Sequence, residues 1–276
     1  MESQVSVIIP TYNRAPVLER AIRSVFEQSV ESWELWIVDD GSTDETSEVL
    51  KKYLSDPRIK LIRTENNGVS SARNRALEKV KTPYICFLDS DDEWMKEKLF
   101  QQLSFMEKHP EIPLVHGEEV WIRNNKRVNP MKKHKKSGGD VFFDSLKLCC
   151  ISPSTVMVRR EVFKEFGMFR EDFPVCEDYD LWLKISCRYK VGFINENLIT
   201  KYGGHEDQLS RKFKAMDYWR ILSIADLLES KKMNEEKTMA SIKELKEKSR
   251  ILLNGYRKHS NLSHYDQIFQ LQQKLL

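Results

Sequence analysis

The sequence predicts an α/β protein whose central sheet is mainly parallel. Apolar runs of strand length alternate with stretches of helical periodicity over the first ~95 residues, and polar residues follow each run. This alternation favours a doubly wound sheet, because each helix returns the chain to the same edge. The apolar runs are residues 5–9, 35–38, 59–62 and 84–88.

Helices are predicted between these strands from apolar spacing and from end signals. Pro16 suits the first turn of a helix whose apolar positions recur every three or four residues. Ser42 and Glu45 have the spacing of a capping box, which predicts a second helix to about residue 54. A third helix is predicted over about residues 70–80.

The second half is less regular, and its last part is predicted to be a helical extension from residue 214 onward. Apolar stripes on this extension would pack on the preceding domain, or would dock a partner or a second copy of the chain. The other predicted elements are helices over 96–108, 141–148, 160–166 and from 178, and strands over 114–123, 155–158, 191–194 and 198–202.

Composition restricts the classes of protein. The 276 residues suffice for one large domain with an appendage, and 40% hydrophobic residues support a core. A net charge of +3, with both signs interspersed, argues against nucleic acid as a partner. Five cysteines without a CxxC pattern predict reduced thiols and an intracellular location. No signal peptide and no apolar run of ~20 residues is found, so we expect a cytoplasmic chain without a transmembrane segment.

Three carboxylates lie within four positions after the fourth strand. Asp89, Asp91 and Asp92 would repel one another and raise each other's pKa unless a cation lies among them. Mg²⁺ and Mn²⁺ prefer oxygen ligands, often one or two carboxylates together with phosphate oxygens. The cluster therefore predicts a divalent ion that holds a phosphorylated substrate. The alternative is a solvated acidic turn that caps a helix beginning near Glu93.

More polar side chains collect where the other strands end. Thr11 and Tyr12 follow the first strand, Asp39 and Asp40 follow the second, and Arg73 lies early in the third helix. Open α/β sheets bind ligands at this edge. A crevice lined in this way suits a nucleoside diphosphate, because the ring can stack on a base, an aspartate can accept from a base N–H, and the ion can hold the phosphates.

Two later residues and one loop allow two interpretations each. Asp178 begins an amphipathic helix, so it is either a first-turn carboxylate near the helix dipole or a general base that faces the crevice. His205 follows two glycines and is either structural or a ligand of a metal or phosphate. The basic run at 132–136 indicates a solvated loop, and the second interpretation is contact with an anionic acceptor or a membrane surface.

These residues belong to stretches that resemble the family 2 inverting glycosyltransferases of the GT-A fold. The resemblance covers roughly residues 4–210, in the family's order and spacing, and its first four stretches are specific as a set. The stretches are 7–14 (VIIPTYNR), 38–44 (VDDGSTD), 67–68 with 72–74 (NG and ARN), 87–92 (FLDSDD) and 177–178 (ED).

The resemblance implies a role for each matching residue. A Mn²⁺ or Mg²⁺ ion would be held by Asp91, with Asp89 near the ion or the ribose, and by His205. Asp178, with Glu177 beside it, resembles the catalytic base. The residues that would contact the nucleotide are Pro10, Thr11, Tyr12, Arg14, Asp40, Arg73, Asp89 and Ser90.

The resemblance also implies substrates and domains. The expected reaction moves a sugar with inversion from a nucleotide-diphosphate sugar, expected to be a UDP-sugar, to a hydroxyl group. The acceptor would be a glycan, a lipid-linked sugar or another alcohol in cell-envelope polysaccharide or glycan synthesis, which fits a location at the inner face of the cell membrane. Residues 1–95 would bind the donor and 96–213 the acceptor. The extension at 214–276 has no counterpart in the resemblance, and a homodimer through its helices is expected only from its apolar stripes.

Other classes of protein fit less well. A dehydrogenase would need a GxGxxG turn after the first strand, and a P-loop ATPase a GxxxxGK[ST] motif, and neither is present. A sugar nucleotidyltransferase shares the architecture, but its Gly-rich, Arg-bearing loop is missing. A sugar-nucleotide-binding or scaffold protein without transfer activity stays open, and release of UDP from donors would distinguish it from an enzyme.

Overall fold

A computed structural model describes residues 3–129, 131, 134–204, 213, 215–259 and 264–275. These residues form a nine-stranded mixed sheet with helices on both faces. The strands are β1 (Val5–Thr11), β2 (Trp33–Asp39), β3 (Ile59–Arg63), β4 (Tyr84–Phe87), β5 (Glu93–Trp94), β6 (Leu114–Arg123), β7 (Lys126–Val128), β8 (Met157–Arg159) and β9 (Gly192–Gly203). Their order in space is β3-β2-β1-β4-β8-β6-β9-β5, and β7 pairs with β6.

The helices lie between the strands in the first part of the chain and follow one another at its end. They are α1 (Ala15–Phe26), α2 (Thr46–Lys51), α3 (Val69–Leu77), α4 (Lys98–Lys108), α5 (Phe142–Lys147), α6 (Glu161–Phe166), α7 (Glu177–Arg188), α8 (Asp217–Glu229), α9 (Glu235–Lys258) and α10 (Tyr265–Leu275). A single 3₁₀ turn at Pro153–Thr155 precedes β8.

The first half of the sheet is parallel, as predicted. β1 pairs in parallel with β2 and with β4, and β2 pairs in parallel with β3. Alternate residues of β1 face opposite sides of the sheet, so Val7 and Ile9 pack with α1 whereas Ile8 packs with α3 and α7. The register sets Thr11 beside Asp39. The carboxyl ends of these strands therefore form one continuous edge.

The second half of the sheet mixes strand directions. β8 runs antiparallel to β4 and β6, whereas β6 and β9 are parallel. The prediction of two strands in residues 191–202 is wrong, because β9 continues through a shift of register opposite Gly117 and Glu118. No helix begins near Glu93, which is part of β5, and α4 begins only at Lys98. The acidic residues before Glu93 therefore do not cap a helix.

The predicted capping box of α2 is also wrong. The helix begins at Thr46, and the preceding Glu45 makes no capping hydrogen bond with its side chain. Ser42 Oγ instead accepts a hydrogen bond from Asn13 N at 2.9 Å. Asp44 Oδ1 accepts one from Thr46 N at 3.0 Å. The segment between β2 and α2 is thus tied to the loop that follows β1.

Of the last three helices, α8 packs on α7, α9 packs on α5, and α10 packs on α8 and α9, and buried residues from all five share one apolar cluster. The contribution of α7 to this cluster is Tyr179, Leu183 and Cys187. Lys248 of α9 donates to the carbonyl of Lys147 at 3.0 Å, which fixes α9 to the end of α5. The division at residue 214 and the dimer remain predictions. Within the described ranges, no helix has the length and apolar character needed to cross a bilayer.

Candidate active site

Two aspartates at the end of β2 are held by backbone N–H groups of neighbouring turns, and both are buried. Asp39 Oδ1 accepts from Ser42 N at 2.9 Å. Asp40 Oδ1 accepts from Asn67 N at 3.0 Å and from Thr64 Oγ1 at 3.1 Å, and its Oδ2 accepts from Gly68 N at 2.8 Å. Asp40 thus fixes the turn that leads into α3. A carboxylate has about four accepting positions, so Asp40 can still accept from a base.

The loop after β1 presents an aromatic ring at the same edge. Tyr12 is 44% exposed, which leaves its ring face accessible for stacking. Asn13 adopts a φ of 52°, and its Oδ1 accepts from Thr43 N at 2.8 Å. Thr11 is buried, and its hydroxyl finds no hydrogen-bond partner among the described residues. An unpaired buried hydroxyl is costly, so a ligand that bonds it would gain free energy.

Three other residues predicted to contact the nucleotide are held within the fold near the same edge of the sheet. Pro10 lies inside β1, opposite Val38 of β2. Arg14 precedes α1, and its N–H donates to Thr46 Oγ1 at 3.1 Å. Ser90 is buried directly after Asp89. These positions border the edge where the strands of the first half end.

A buried arginine joins the two acidic motifs. Arg73 is 2% exposed and donates to Glu177 Oε1 at 2.6 Å and to Asp89 Oδ1 at 2.7 Å. Burial lowers the pKa of Arg73, but these carboxylates more than offset it, so the net direction is upward. Burial and the charge of Asp178 raise the pKa of Glu177 to about 7, although Arg73 opposes this. Glu177 therefore titrates near neutral pH.

The acidic residues after β4 differ in their surroundings. Asp92 is buried, and it accepts from Ser154 Oγ at 2.7 Å and from Tyr202 N at 3.2 Å. Burial raises the pKa of Asp92, and the charge of Asp91 raises it further. For Asp92 this agrees with the prediction that the neighbouring aspartates raise one another's pKa. Asp91 is partly exposed, and its carbonyl accepts from a guanidinium nitrogen of Arg20 at 2.5 Å.

Asp178 lies on the first turn of α7, as predicted. Its Oδ1 accepts from Tyr179 N at 2.7 Å, and its Oδ2 accepts from the thiol of Cys149 at 3.4 Å. Burial and the charge of Asp178 raise the pKa of Cys149 well above its usual range. The thiol therefore stays protonated and able to donate. As predicted, all five cysteines are free.

A lysine of β9 lies among these carboxylates. Lys201 is half-buried, and its Nζ donates to Ser152 Oγ at 3.3 Å. Burial lowers the pKa of Lys201, but neighbouring carboxylates raise it further, so the ammonium group stays charged. The carboxylates that act on it are those of Glu119, Asp92, Asp89 and Asp178.

The basic loop is anchored to the same network, so the prediction of a solvated loop is wrong at Lys136. This side chain is buried, with Nζ 3.3 Å from Glu119 Oε2, and it donates to the carbonyl of Cys150 at 3.0 Å. Burial would raise the pKa of Glu119, but the lysine charges around it lower the value to about 2. Lys132 and Lys133 lie outside the described residues.

The donor atoms fit a metal ion that is shared with a substrate. No group of three or more potential metal ligands occurs in the described parts of the chain. Asp89 and Asp91 are both partly exposed, and their carboxylates offer the hard oxygen atoms that Mg²⁺ and Mn²⁺ prefer. The predicted ligand His205 lies outside the described residues. An ion held by one or two carboxylates would complete its shell with phosphate oxygens and water.

The structure brings most of the predicted residues to the carboxyl edge of the sheet and adds others that were not predicted. A weak sequence signal pointed to Lys201, because this charged residue follows the apolar part of the predicted strand 198–202. The remaining residues lie in no motif, and only the fold brings them to the site. The residues added by the structure are Arg20, Cys149, Ser154, Lys201 and Tyr202.

Comparison with known proteins agrees with this geometry. The profile of the family "Glycosyl transferase family 2" matches residues 6–167. An uncharacterized glycosyltransferase of Rickettsia bellii is 36% identical over 197 residues, which are 71% of this chain and 28% of that protein. The chain spans only 28% to 32% of the length of three such Rickettsia relatives.

Two relatives of more similar length have specific names. The Escherichia coli UDP-Glc:alpha-D-GlcNAc-diphosphoundecaprenol beta-1,3-glucosyltransferase WfgD is 36% identical over 222 residues, covering 79% of this chain and 85% of that protein. The putative teichuronic acid biosynthesis glycosyltransferase TuaG of Bacillus subtilis is 36% identical over 205 residues, covering 73% and 76%.

Solved structures show the same fold. Residues 1–349 of S. aureus TarS in complex with UDP superpose with a TM-score of 0.68 at 21% identity, covering 96% of this chain and 74% of that one. The mannosyltransferase PcManGT of Pyrobaculum calidifontis, in complex with GDP-Man and Mn²⁺, gives 0.67 at 16% identity, covering 99% and 84%. The GT-A fold predicted from the sequence is thereby confirmed. From the profile match over more than half of its length and from its relatives, this chain belongs to glycosyl transferase family 2.

Proposed function

We propose that this chain transfers a sugar, with inversion, from a nucleotide-diphosphate sugar to an acceptor hydroxyl group. One observation carries the proposal. Arg73 bonds Asp89 at 2.7 Å and Glu177 at 2.6 Å, and Asp178 follows Glu177 directly. A single buried side chain thus connects the acidic motif suited to the diphosphate with the helix that carries the proposed base.

Asp178 acts as the general base. It takes the proton of the acceptor hydroxyl while the new bond to the anomeric carbon forms and the bond to the diphosphate oxygen breaks. Attack from the side opposite the leaving group inverts the anomeric centre, so no carboxylate nucleophile is required. A positioned base contributes roughly a hundred- to ten-thousand-fold in rate. The thiol of Cys149, 3.4 Å from Oδ2, restricts the orientation of this carboxylate.

Negative charge grows on the diphosphate as it leaves, and positively charged side chains of the protein offset this charge. Arg73 and Lys201 remain protonated at neutral pH, because nearby carboxylates raise the pKa of each. When bound, Mn²⁺ or Mg²⁺ supplies Lewis-acid neutralisation of the same charge. Asp91, with Asp89, is the proposed holder of the ion, together with His205. The presence of Mn²⁺ with GDP-Man in the PcManGT structure supports this assignment.

The nucleotide is held at the edge formed by the first three strands. The ring of Tyr12 stacks on the base, and Asp40 accepts from a base N–H. The buried hydroxyl of Thr11, which has no partner among the described residues, forms a hydrogen bond with the nucleotide. A uridine donor is supported by the UDP-Glc in the name of WfgD and by the UDP in the TarS complex.

The proposed acceptor is lipid-linked, in the synthesis of a cell-envelope polysaccharide. It is supported by the diphosphoundecaprenol in the name of WfgD and by the teichuronic acid in that of TuaG. Transfer to such an acceptor would take place at the inner face of the membrane, with the chain in peripheral contact.

Release of UDP from a panel of UDP-sugars tests the proposal. The full chain is assayed with Mn²⁺ or Mg²⁺ and with sugar-diphosphate lipids as acceptors. Asp178→Asn should lower turnover at least about a hundredfold while UDP still raises the melting temperature. Asp172→Asn is the matched control, since it removes the charge of an exposed carboxylate that pairs with Arg170. Full turnover of Asp178→Asn would contradict the role of the base, and UDP binding without turnover in the native chain would favour the binding-protein alternative.

A further inference from the structure

The acidic cluster contains its own cation, which the proposed chemistry does not fully explain. The backbone beside Lys201 is fixed to the acidic loop, since Tyr202 N donates to Asp92 Oδ1 at 3.2 Å and Thr200 pairs with Glu93. The side chain is fixed at its other end, where Nζ donates to Ser152 Oγ at 3.3 Å. The ammonium group therefore has a defined position next to the acidic loop, rather than that of a mobile surface lysine.

Charge counting indicates what this position does. Arg73 bonds Asp89 on one side, and Lys136 pairs with Glu119 at 3.3 Å on the other. Lys201 pairs with Trp121, two residues from Glu119 on β6, and the next residue in its own strand bonds Asp92, so its charge acts on carboxylates of both groups. In the protein alone, fixed cations thus neutralise part of the acidic cluster. A divalent ion that enters the empty site meets these positive charges as well as the carboxylates.

A bound nucleotide diphosphate changes this balance. It brings two or more negative charges to the same edge, where Lys201 and Arg73 can interact with them. The repulsion that a metal ion meets in the empty protein is then offset. Binding of the ion and of the diphosphate becomes coupled, and such coupling is reciprocal.

We propose that Lys201 is a resident counter-ion of the acidic cluster that makes metal binding depend on the nucleotide diphosphate. The inference rests on the proposed function, since it takes the acidic cluster as the site of the ion. In this role Lys201 acts on the ion through its fixed charge and is not one of the ligands of the ion. Its removal should strengthen binding of the ion to the empty protein, which is the opposite of what loss of a ligand would do.

Titration calorimetry with Mn²⁺, without and with saturating UDP, tests the inference on the full chain. Lys201→Met should bind Mn²⁺ alone about tenfold more tightly, as expected for loss of one positive charge that acts on a divalent ion in a partly solvated site. The factor by which UDP strengthens Mn²⁺ binding should fall about tenfold. Lys201→Arg should restore both values. Lys60→Met is the matched control, because it removes the same charge from an exposed lysine on β3, at the opposite edge of the sheet.

Unchanged or weaker Mn²⁺ binding in folded Lys201→Met would overturn the inference, and folding is checked by circular dichroism. If the methionine variant does not fold, Lys201→Gln replaces it and is judged by the same two values. A native chain that binds no Mn²⁺ even with UDP also overturns it. A native chain that transfers sugar but whose Lys201→Met variant keeps both native values refutes only the inference. A native chain with the expected Mn²⁺ coupling and no transfer refutes only the proposed activity.

Discussion

The two sides of the crevice hold their carboxylates in different ways. On the donor side, Asp39 and Asp40 accept from backbone N–H groups of turns that lie next to them. On the transfer side, Asp89 and Glu177 share the side chain of Arg73, and Asp92 bonds the hydroxyl of Ser154. Mainly backbone groups hold the first pair, with one added hydroxyl from Thr64, whereas mainly side chains from distant segments hold the second set.

This difference determines which carboxylates respond to their neighbours. A backbone N–H carries no net charge and does not titrate, so it fixes a carboxylate without coupling it to other sites. The side-chain network couples its members, because each protonation changes the field at the next. The raised pKa values of Glu177 and Asp92 are consequences of burial in such a network. The carboxylates on the proposed donor side are therefore fixed in position, whereas the charge of each carboxylate on the proposed transfer side depends on the protonation of its neighbours.

The largest effect is expected at the centre of the network. Arg73→Met leaves two carboxylates without their shared cation, and breaking a buried ion pair from one side costs about 3–5 kcal/mol of unfolding free energy. Urea denaturation measures this loss. Arg58→Met, which removes the more exposed pair with Asp56, is the control and should cost much less. A loss below about 1 kcal/mol for Arg73→Met would show that the network does not stabilise the fold.

A smaller effect is expected on the donor side. In Asp40→Asn, an NH₂ group replaces one of the two carboxylate oxygens that accept from Asn67 N and Gly68 N. Two donors then face each other, and one backbone N–H loses its acceptor. An unsatisfied buried group of this kind costs about 1–3 kcal/mol. Steady-state kinetics should show a higher KM for the donor with kcat nearly unchanged. A fall in kcat with an unchanged KM would place Asp40 on the transfer side and break the comparison.

The pH dependence of stability should reveal the coupled side. The pKa of Glu177 is about 7 in the folded chain, above its ordinary value of 4.5, so between these values the folded state keeps a proton that the unfolded state has lost. The contribution of Glu177 to stability is complete below pH 4.5 and is lost as the pH rises through 7. Between pH 5 and 7.5, Glu177→Gln should lose about 1–2 kcal/mol less stability than the native chain in denaturant titrations. Equal slopes for both proteins would contradict the raised pKa.

The smallest effect is expected at the thiol beside the proposed base. Cys149→Val removes the hydrogen bond to Asp178 Oδ2, worth about 1 kcal/mol, so turnover should fall a few-fold. Cys149→Ser keeps a donor and should retain more activity than the valine variant. Cys150→Val is the neighbouring control, since the thiol of Cys150 donates to the backbone carbonyls of Asp144 and Leu148. Equal activity of all three variants would remove Cys149 from the positioning of the base.

The same contrast explains what the sequence could predict. The donor side was predictable in part because the contact of Asp39 with Ser42 joins residues close in sequence, although Asn67 and Gly68 lie 27 and 28 positions from Asp40. Strand ends in a parallel sheet also meet at one edge whatever their side chains, so the position of Asp40 near Thr11 follows from the alternation of elements alone. For the same reason the fold class and the parallel direction of the first four strands were predicted correctly.

The transfer side could not be predicted in the same way. Arg73 and Glu177 are separated by 104 positions, and Asp92 and Tyr202 by 110, so no local pattern links them. The basic run at 132–136 was predicted to be solvated, because its composition does not indicate that Lys136 Nζ lies 3.3 Å from Glu119 Oε2. β5 was missed because a strand of two residues has no periodicity, and it forms only through its pairing with β9.

The packing of the last three helices has a consequence for engineering and for evolution. They cover one side of α7 through Tyr179 and Leu183, while the first turn of α7 carries Asp178. A chimaera that takes these helices from another family member must therefore match the apolar surface of the recipient's α7. Where the surfaces differ, the exchange would shift Asp178, the proposed base, although no residue of α7 itself is replaced.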